Sequence, residues 1–311
     1  MRAVILCPGQ GAQRVGMGKD LAERFPAARA VFEQADAALD VPLSRLMWDG
    51  PERELTLTHN AQPAILVHSL AAHAAVGERL QPVAAAGHSL GEYTAYAVVG
   101  ALGLADAVRL VRRRGELMLE AGARRPGTMA AVIGMPGERV AEICAAVSAP
   151  DAVVVAANLN APDQTVISGD PAGVERAGRA LTEAGARRVL PLKVSGAFHS
   201  PLMASALDGL LAALDAVALG DPAAPVVANV SAEPVQDGPS ARRLLAEQLT
   251  APVRWVASMQ RAAALAHGAP FIELGPGTVL AGLLKRIVPG AATISLGTAD
   301  EVDAFLTGGL S

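Results

Sequence analysis

Ser89 stands in Gly87-His88-Ser89-Leu90-Gly91-Glu92, a serine framed by glycines at the spacing Gly-x-Ser-x-Gly. A serine hydroxyl does acyl chemistry only when it is held outward and a base can take its proton. The flanking residues speak to the first condition. A short apolar run, Val83 to Ala86, precedes the pattern, and a helix-compatible run, Glu92 to Val99, follows it. A tight strand-to-helix turn is therefore expected, in which small neighbours let the backbone pass close to itself while the hydroxyl points out. The helix start adds amide N–H groups and a positive dipole end where an oxyanion would form. On its own the pattern remains a motif match, and other residues must decide what it does.

Three further residue types bear on that decision. The apolar run Ala3 to Cys7 reads as a buried parallel strand and leads into Pro8-Gly9-Gln10-Gly11-Ala12-Gln13, a glycine-rich turn that displays a glutamine. Its spacing is not Gly-x-Gly-x-x-Gly and no lysine completes a P-loop, which argues against a phosphate site. After Ser89 one helix should end near Gly100 to Gly103 and a second should run from about Leu104 to Ala121. On the second, Leu110, Arg114 and Leu117 share a face, so an arginine interrupts an apolar stripe, while Arg109, Arg113, Glu116 and Glu120 form the solvated face. At ~1.5 Å per residue the first helix leads ~15 Å away from Ser89 and an antiparallel partner returns as far, which can bring Arg114 beside Ser89. A structural arginine paired with a buried carboxylate is the alternative. His199, in Gly196-Ala197-Phe198-His199-Ser200-Pro201, sits in a loop, a better place for a base than the helix carrying His68 and His73.

The elements that position these residues follow from the rest of the chain. Helices are expected at Val15 to Phe25, Pro26 to Leu39 and Ala64 to Leu80, the last with Pro63 near its first turn. From Thr128 to Leu192 the order becomes βαββαβ, with strands at Met129–Ile133, Ala152–Ala157, Thr165–Ser168 and Arg188–Leu192 and helices at Glu138–Val147 and Ala172–Glu183. This reads as a ferredoxin-like unit, residues 127–194, inserted in a larger α/β domain made of residues 1–126 and 195–311, with a binding cleft between the two. A strand at Pro225 to Val230, a helix around Arg242 to Leu249 and the strand Phe271 to Leu274 complete the outline.

Composition limits the function classes. In 311 residues, 51% are hydrophobic and only 3% aromatic, so the core must be filled by Ala, Val and Leu, as suits a soluble α/β protein. A formal net charge of −4 gives no electrostatic case for nucleic acid or an anionic membrane. The two cysteines, Cys7 and Cys144, belong to no spaced ligand cluster, which fits a reducing, cytoplasmic setting and no metal. No apolar run reads as a signal peptide or membrane span.

Taken together, Pro8 to Gln13, Gln62-Pro63-Ala64, Gly87 to Glu92, Arg114-Gly115, Asn158 to Gly169, Gly196 to Ser200, Pro252-Val253 and Glu273-Leu274-Gly275-Pro276-Gly277 resemble, in order, the blocks of the malonyl-CoA:acyl carrier protein transacylases and the related acyltransferase domains of polyketide and fatty acid synthases. The resemblance covers nearly the whole chain and implies an α/β-hydrolase-like body. It implies Ser89 as acyl-accepting nucleophile, His199 as its base, and the main-chain carbonyl of Gln248 as the group that orients the imidazole. It further implies Gln10 and the Leu90 amide as oxyanion hole, Arg114 as the fork for a substrate carboxylate, Gln62 in the same pocket, and Phe198 as a filter against a 2-methyl group or as simple packing. Malonyl-CoA as substrate, an acyl carrier protein as acceptor, no permanently bound cofactor and a monomer are expected on the same ground. An acidic carrier would dock on basic residues near the cleft, for which Arg187, Arg188, Lys193, Lys285 and Arg286 are candidates. A free-standing polyketide acyltransferase, the malonyl-transferring subunit of malonate decarboxylase and, less well, a serine hydrolase or a non-catalytic carrier-binding module are the other readings.

Overall fold

The computed structural model describes residues 1–308. Its ten strands are β1 (Arg2–Cys7), β2 (Gln81–Gly87), β3 (Thr128–Ile133), β4 (Val154–Ala161), β5 (Gln164–Gly169), β6 (Arg188–Pro191), β7 (Val226–Val227), β8 (Pro234–Val235), β9 (Phe271–Leu274) and β10 (Thr293–Leu296). They form two sheets. The larger has the order β10-β9-β1-β2-β7-β8, parallel except for the β7–β8 pair. The smaller is antiparallel, in the order β4-β5-β3-β6.

β1 is buried from Ala3 to Cys7, as a central strand covered on both faces must be. Alternate residues go to opposite faces. Ala3, Ile5 and Cys7 join the core under the helices Thr58–Val76, Leu90–Val98 and Leu104–Arg124, whereas Val4 and Leu6 pack with Trp255, Met259, Leu280 and Leu284 from the helices Trp255–Ala266 and Val279–Ile287. The antiparallel sheet has a core of its own, in which Val132, Ile167 and Val154 meet Val140 and Leu181 from the helices Gly137–Val147 and Pro171–Glu183.

Two expected helices differ. Residues 15–25 are helical only over Lys19–Arg24, because Gly16 and Gly18 take φ of 91° and 76° and break the first turns. The long helix starts at Thr58, six residues before the expected Ala64, with Pro63 inside it. A proline there frees the carbonyl of His59 four residues back, and Arg112 Nη1 donates to that oxygen at 3.3 Å. The packing between the two helices thus satisfies the carbonyl that Pro63 leaves free. Among the described residues no helix is long and apolar enough to cross a membrane, and no group of three or more His, Cys, Asp or Glu is placed to hold a metal ion.

The register brings the site together. Cys7 pairs with Gly87 at the carboxyl ends of β1 and β2, so the loops that carry Gln10 and Ser89 leave the sheet side by side. Ligands in open parallel sheets bind at this edge.

Candidate active site

β2 ends at Gly87 and a helix begins at Leu90, which leaves two residues to reverse the chain. Ser89 takes φ 53° and ψ −110°, a strained backbone for any residue with a side chain. The glycines make the turn possible. A Cβ on Gly87 would lie 1.9 Å from the Gly91 carbonyl, and one on Gly91 would lie 2.1 Å from the Cys7 oxygen. Asn229, beyond the end of β7, spans the turn by accepting from Ser89 N at 2.7 Å and donating from Nδ2 to the Gly87 carbonyl at 2.7 Å. His88 is held from the other side, its Nε2 2.8 Å from Asn160 Oδ1 on β4.

Ser89 Oγ lies 2.7 Å from His199 Nε2. His199 Nδ1 lies 3.0 Å from the main-chain oxygen of Gln248. A carbonyl only accepts, so Nδ1 carries the proton, and Nε2 is left with a lone pair toward the serine hydroxyl. Burial first, and then the Arg114 charge, push the imidazole down to about 3, which keeps it neutral and able to take a proton. His199 itself has φ 56°, so it sits, like Ser89, on backbone with positive φ.

Arg114 is buried, with only 1% of its surface exposed. Its helix packs tightly because Gly115 meets the start of the long helix, where a Cβ would lie 2.6 Å from His59 Cα. The guanidinium sits 5.2 Å from the Tyr93 ring centroid. Nη1 donates to Gln62 Oε1 at 2.8 Å, and Nη2 donates to Gln248 Oε1 at 2.9 Å and to Ser89 Oγ at 3.2 Å. Nε has no partner. Burial lowers the arginine's affinity for its proton, but every neighbour it touches accepts. Gln62 is fixed at its other end, where Nε2 donates to Met118 Sδ at 3.3 Å.

Gln10 stands at the rim, its Nε2 donating to Thr58 Oγ1 at a long 3.3 Å, and Thr58 Oγ1 lies 2.9 Å from Ser195 Oγ. Leu90 is the first residue of its helix, so its N–H has no intrahelical acceptor. These groups open on a cleft of about 580 Å³ between the two sheets, with Met118, Met129, Val166, Leu192 and Phe198 along its apolar wall. Lys193 lies at the same cleft and is exposed, as are Arg187, Arg188 and Lys285; Arg286 is engaged with Asp163 and Gln164.

All eight residues singled out from the sequence fall in this cleft or its first layer. Sequence reasoning passed over Asn229, Glu92 and the side chain of Gln248. Asn229 lay inside an expected strand; a polar residue at the carboxyl end of a parallel strand was the available signal. Glu92 was quoted only as part of the motif. It is fully buried, and its Oε2 accepts from Gln248 Nε2 at 2.7 Å and from Asn229 N at 3.1 Å.

The arrangement can pass a serine proton to a neutral histidine beside a buried cation, which is chemistry for acylating Ser89 with a group that carries a negative charge. Comparisons with known proteins point to acyl transfer as well. Residues 4–298 match the family model described as acyl transferase domain. The malonyl CoA-acyl carrier protein transacylase of Bacillus subtilis (strain 168) is 44% identical over 304 residues, covering 97% of this chain and 95% of that protein. The crystal structure of the acyl-carrier-protein S-malonyltransferase from Bartonella henselae superposes with a TM-score of 0.93 at 41% identity, covering 99% of both chains. A malonyl transacylase solved in complex with a type II polyketide acyl carrier protein also superposes with a TM-score of 0.93, at 38% identity over 99% of this chain and 100% of its own.

Proposed function

The chain belongs to the acyl transferase domain family, and from that premise we propose that it carries malonyl from malonyl-CoA to the phosphopantetheine thiol of an acyl carrier protein in fatty acid synthesis. The single observation behind this reading is the Ser89–His199 pair, 2.7 Å apart, with the buried Arg114 guanidinium 3.2 Å from the same oxygen.

In the first half-reaction Ser89 Oγ gives its proton to His199 Nε2 and bonds to the thioester carbonyl carbon. The C–S bond then breaks and the proton goes to the coenzyme A sulfur, leaving malonyl-Ser89. In the second, the carrier's thiol gives its proton to His199, its sulfur attacks the ester, and Ser89 recovers the proton. The Gln248 carbonyl stabilises the imidazolium formed in between, through Nδ1–H. Negative charge on the substrate oxygen is met by the Leu90 amide and by Gln10 Nε2, whose long bond to Thr58 is easily exchanged. Donors of this kind are typically worth about 10²- to 10³-fold each. Arg114 holds the free carboxylate, and Gln62 fixes the guanidinium. An acetyl group would leave that cation buried and unpaired, which discriminates far better than a missing methylene does. Phe198, against the acyl pocket, excludes a 2-methyl group by size.

On this reading residues 1–126 and 195–311, the last three of which lie outside the described residues, form an α/β-hydrolase-like domain and residues 127–194 a ferredoxin-like insert, which the separate core of the antiparallel sheet supports. The same reading takes the protein to be a monomer with no resident cofactor, acting in the cytoplasm. Lys193 and its basic neighbours would meet the carrier.

Radioactive malonyl-CoA should label the protein, and Ser89→Ala should abolish the label; persistence of the label overturns the assignment. Arg114→Ala should lose malonyl transfer by about 10³-fold or more while keeping acetyl transfer. The relative bound to a polyketide carrier favours one second reading, a polyketide acceptor. Side-by-side transfer to fatty acid and polyketide carrier proteins decides between them.

A further inference from the structure

Gln248 touches His199, Arg114 and the Ser89 turn at once. Its main-chain oxygen accepts from His199, its Oε1 accepts from Arg114, and its Nε2 donates to the Ser89 carbonyl at 3.0 Å and to Glu92 Oε2 at 2.7 Å. An amide has two orientations related by a flip, and only one works here. The nitrogen must face the two acceptors, and the oxygen must face the guanidinium. The Ser89 carbonyl alone is a weak constraint, because it belongs to the turn being held. Glu92 is the second acceptor, and once ionised, above about pH 7, it has no hydrogen to offer a flipped amide.

Glu92 also reaches the other clamp on the turn. Its Oε2 accepts from Asn229 N, and Asn229 holds Ser89 N and the Gly87 carbonyl. Glu92, Gln248 and Asn229 are each 0% exposed, so bulk solvent does not reach these bonds. Glu92 and Arg114 do not touch; the Gln248 amide lies between them, oxygen toward the cation and nitrogen toward the anion. Among the described residues the titratable side chains that bear on Glu92 are Arg114 and, on its own helix, Tyr93 and Tyr96. Burial of a carboxylate that only lends shape would be costly, since its Oε1 has no partner at all.

We propose that Glu92 is a positioning residue for the transfer reaction, which acts through the Gln248 amide on Arg114 and His199 and through Asn229 on the Ser89 turn. The proposal rests on the malonyl reading given above. It makes Glu92 a determinant of acyl selectivity without contact to substrate, because a displaced guanidinium no longer meets the malonyl carboxylate.

Two variants of the full chain test it, with kcat/KM measured for malonyl-CoA and for acetyl-CoA above about pH 8, where Glu92 is ionised. Glu92→Gln keeps an oxygen for both bonds but removes the anion and restores the possibility of a flipped amide. Its malonyl-to-acetyl ratio should fall about threefold to tenfold. Glu92→Leu removes both bonds; the ratio should fall by more than tenfold, with the malonyl KM raised and kcat lowered together. The ratio does not depend on how much of a preparation is folded, so Glu92→Gln alone suffices if Glu92→Leu does not fold. An unchanged ratio in Glu92→Gln, whatever the total activity, overturns the proposal. Should the wild-type protein fail to load malonate, the functional reading falls separately. Inactivation of Ser89 by a sulfonyl fluoride then tests the positioning alone: a slower rate in Glu92→Gln than in wild type is expected, and an equal rate overturns it.

Discussion

His199 and Glu92 are both buried titratable groups, and the fold moves them in opposite directions. His199 is pushed down to about 3 and His68 to about 4, so between those values and the ordinary histidine range the unfolded chain binds protons that the native one refuses. Their contribution to stability therefore rises with pH and is complete above about pH 6.5. Glu92 is pushed up to about 7, chiefly by burial. From about pH 4.5 to 7 the native state holds a proton there that the unfolded chain has lost, so its contribution falls as pH rises. The two slopes oppose each other in the weakly acid range. Glu92→Gln removes the falling one, and its stability relative to wild type should improve from about pH 5 to about pH 7.5. Urea denaturation of both proteins at the two pH values reads this directly. A difference that does not change with pH would mean that Glu92 titrates alike in the folded and unfolded chains.

At the scale of the element, the strand–turn–helix around Ser89 is the most sterically specified piece of the chain. Gly87 has φ on the ordinary side, yet its missing Cβ is what lets the Gly91 peptide pass. Gly87→Ala should therefore cost at least about 3 kcal/mol, the upper end of overpacking, and abolish transfer. Gly100 provides the contrast: it has φ 77° and open space around it, so Gly100→Ala should cost about 1 kcal/mol of backbone strain and leave transfer intact. Equal losses in denaturant midpoint would refute the steric account. This local crowding explains why the turn was legible in the sequence: its requirement is met by residues two and four apart. The arginine was legible as well, because spacings of four and three on one helix put Arg114 on an apolar face. Asn229 and Glu92 were not legible, since each does its work for a partner about 140 residues away in sequence. The start of the long helix was misplaced because Pro63 is accommodated by Arg112, on another helix.

On the scale of the molecule, the cleft lies between two sheets whose relative position is fixed by bonds on several sides. Leu159 N donates to the Val253 carbonyl at 2.9 Å, and Val253 N donates to the Ala157 carbonyl at 2.8 Å, so β4 is stitched to the chain just before the helix Trp255–Ala266. The His88–Asn160 bond ties the same strand to the Ser89 turn, and Arg286 reaches Gln164 at the end of the β4–β5 hairpin. Across the cleft the Thr58–Ser195 pair joins the long helix to the segment leading to His199. Backbone bonds of this kind break before two packed units can separate, so opening would expose these amides first. A lid that closes over substrate would need that separation in every turnover. The bonding argues instead for a cleft of fixed width, with Arg114 and Phe198 in its wall. The amide protons of Leu159 and Val253 should therefore exchange with solvent as slowly as that of Ile5 in the central strand, and malonyl-CoA should not slow them further. Exchange at those two positions that is faster by about 10²-fold or more, amounting to a local opening about 3 kcal/mol easier than unfolding, would show that the antiparallel sheet does swing.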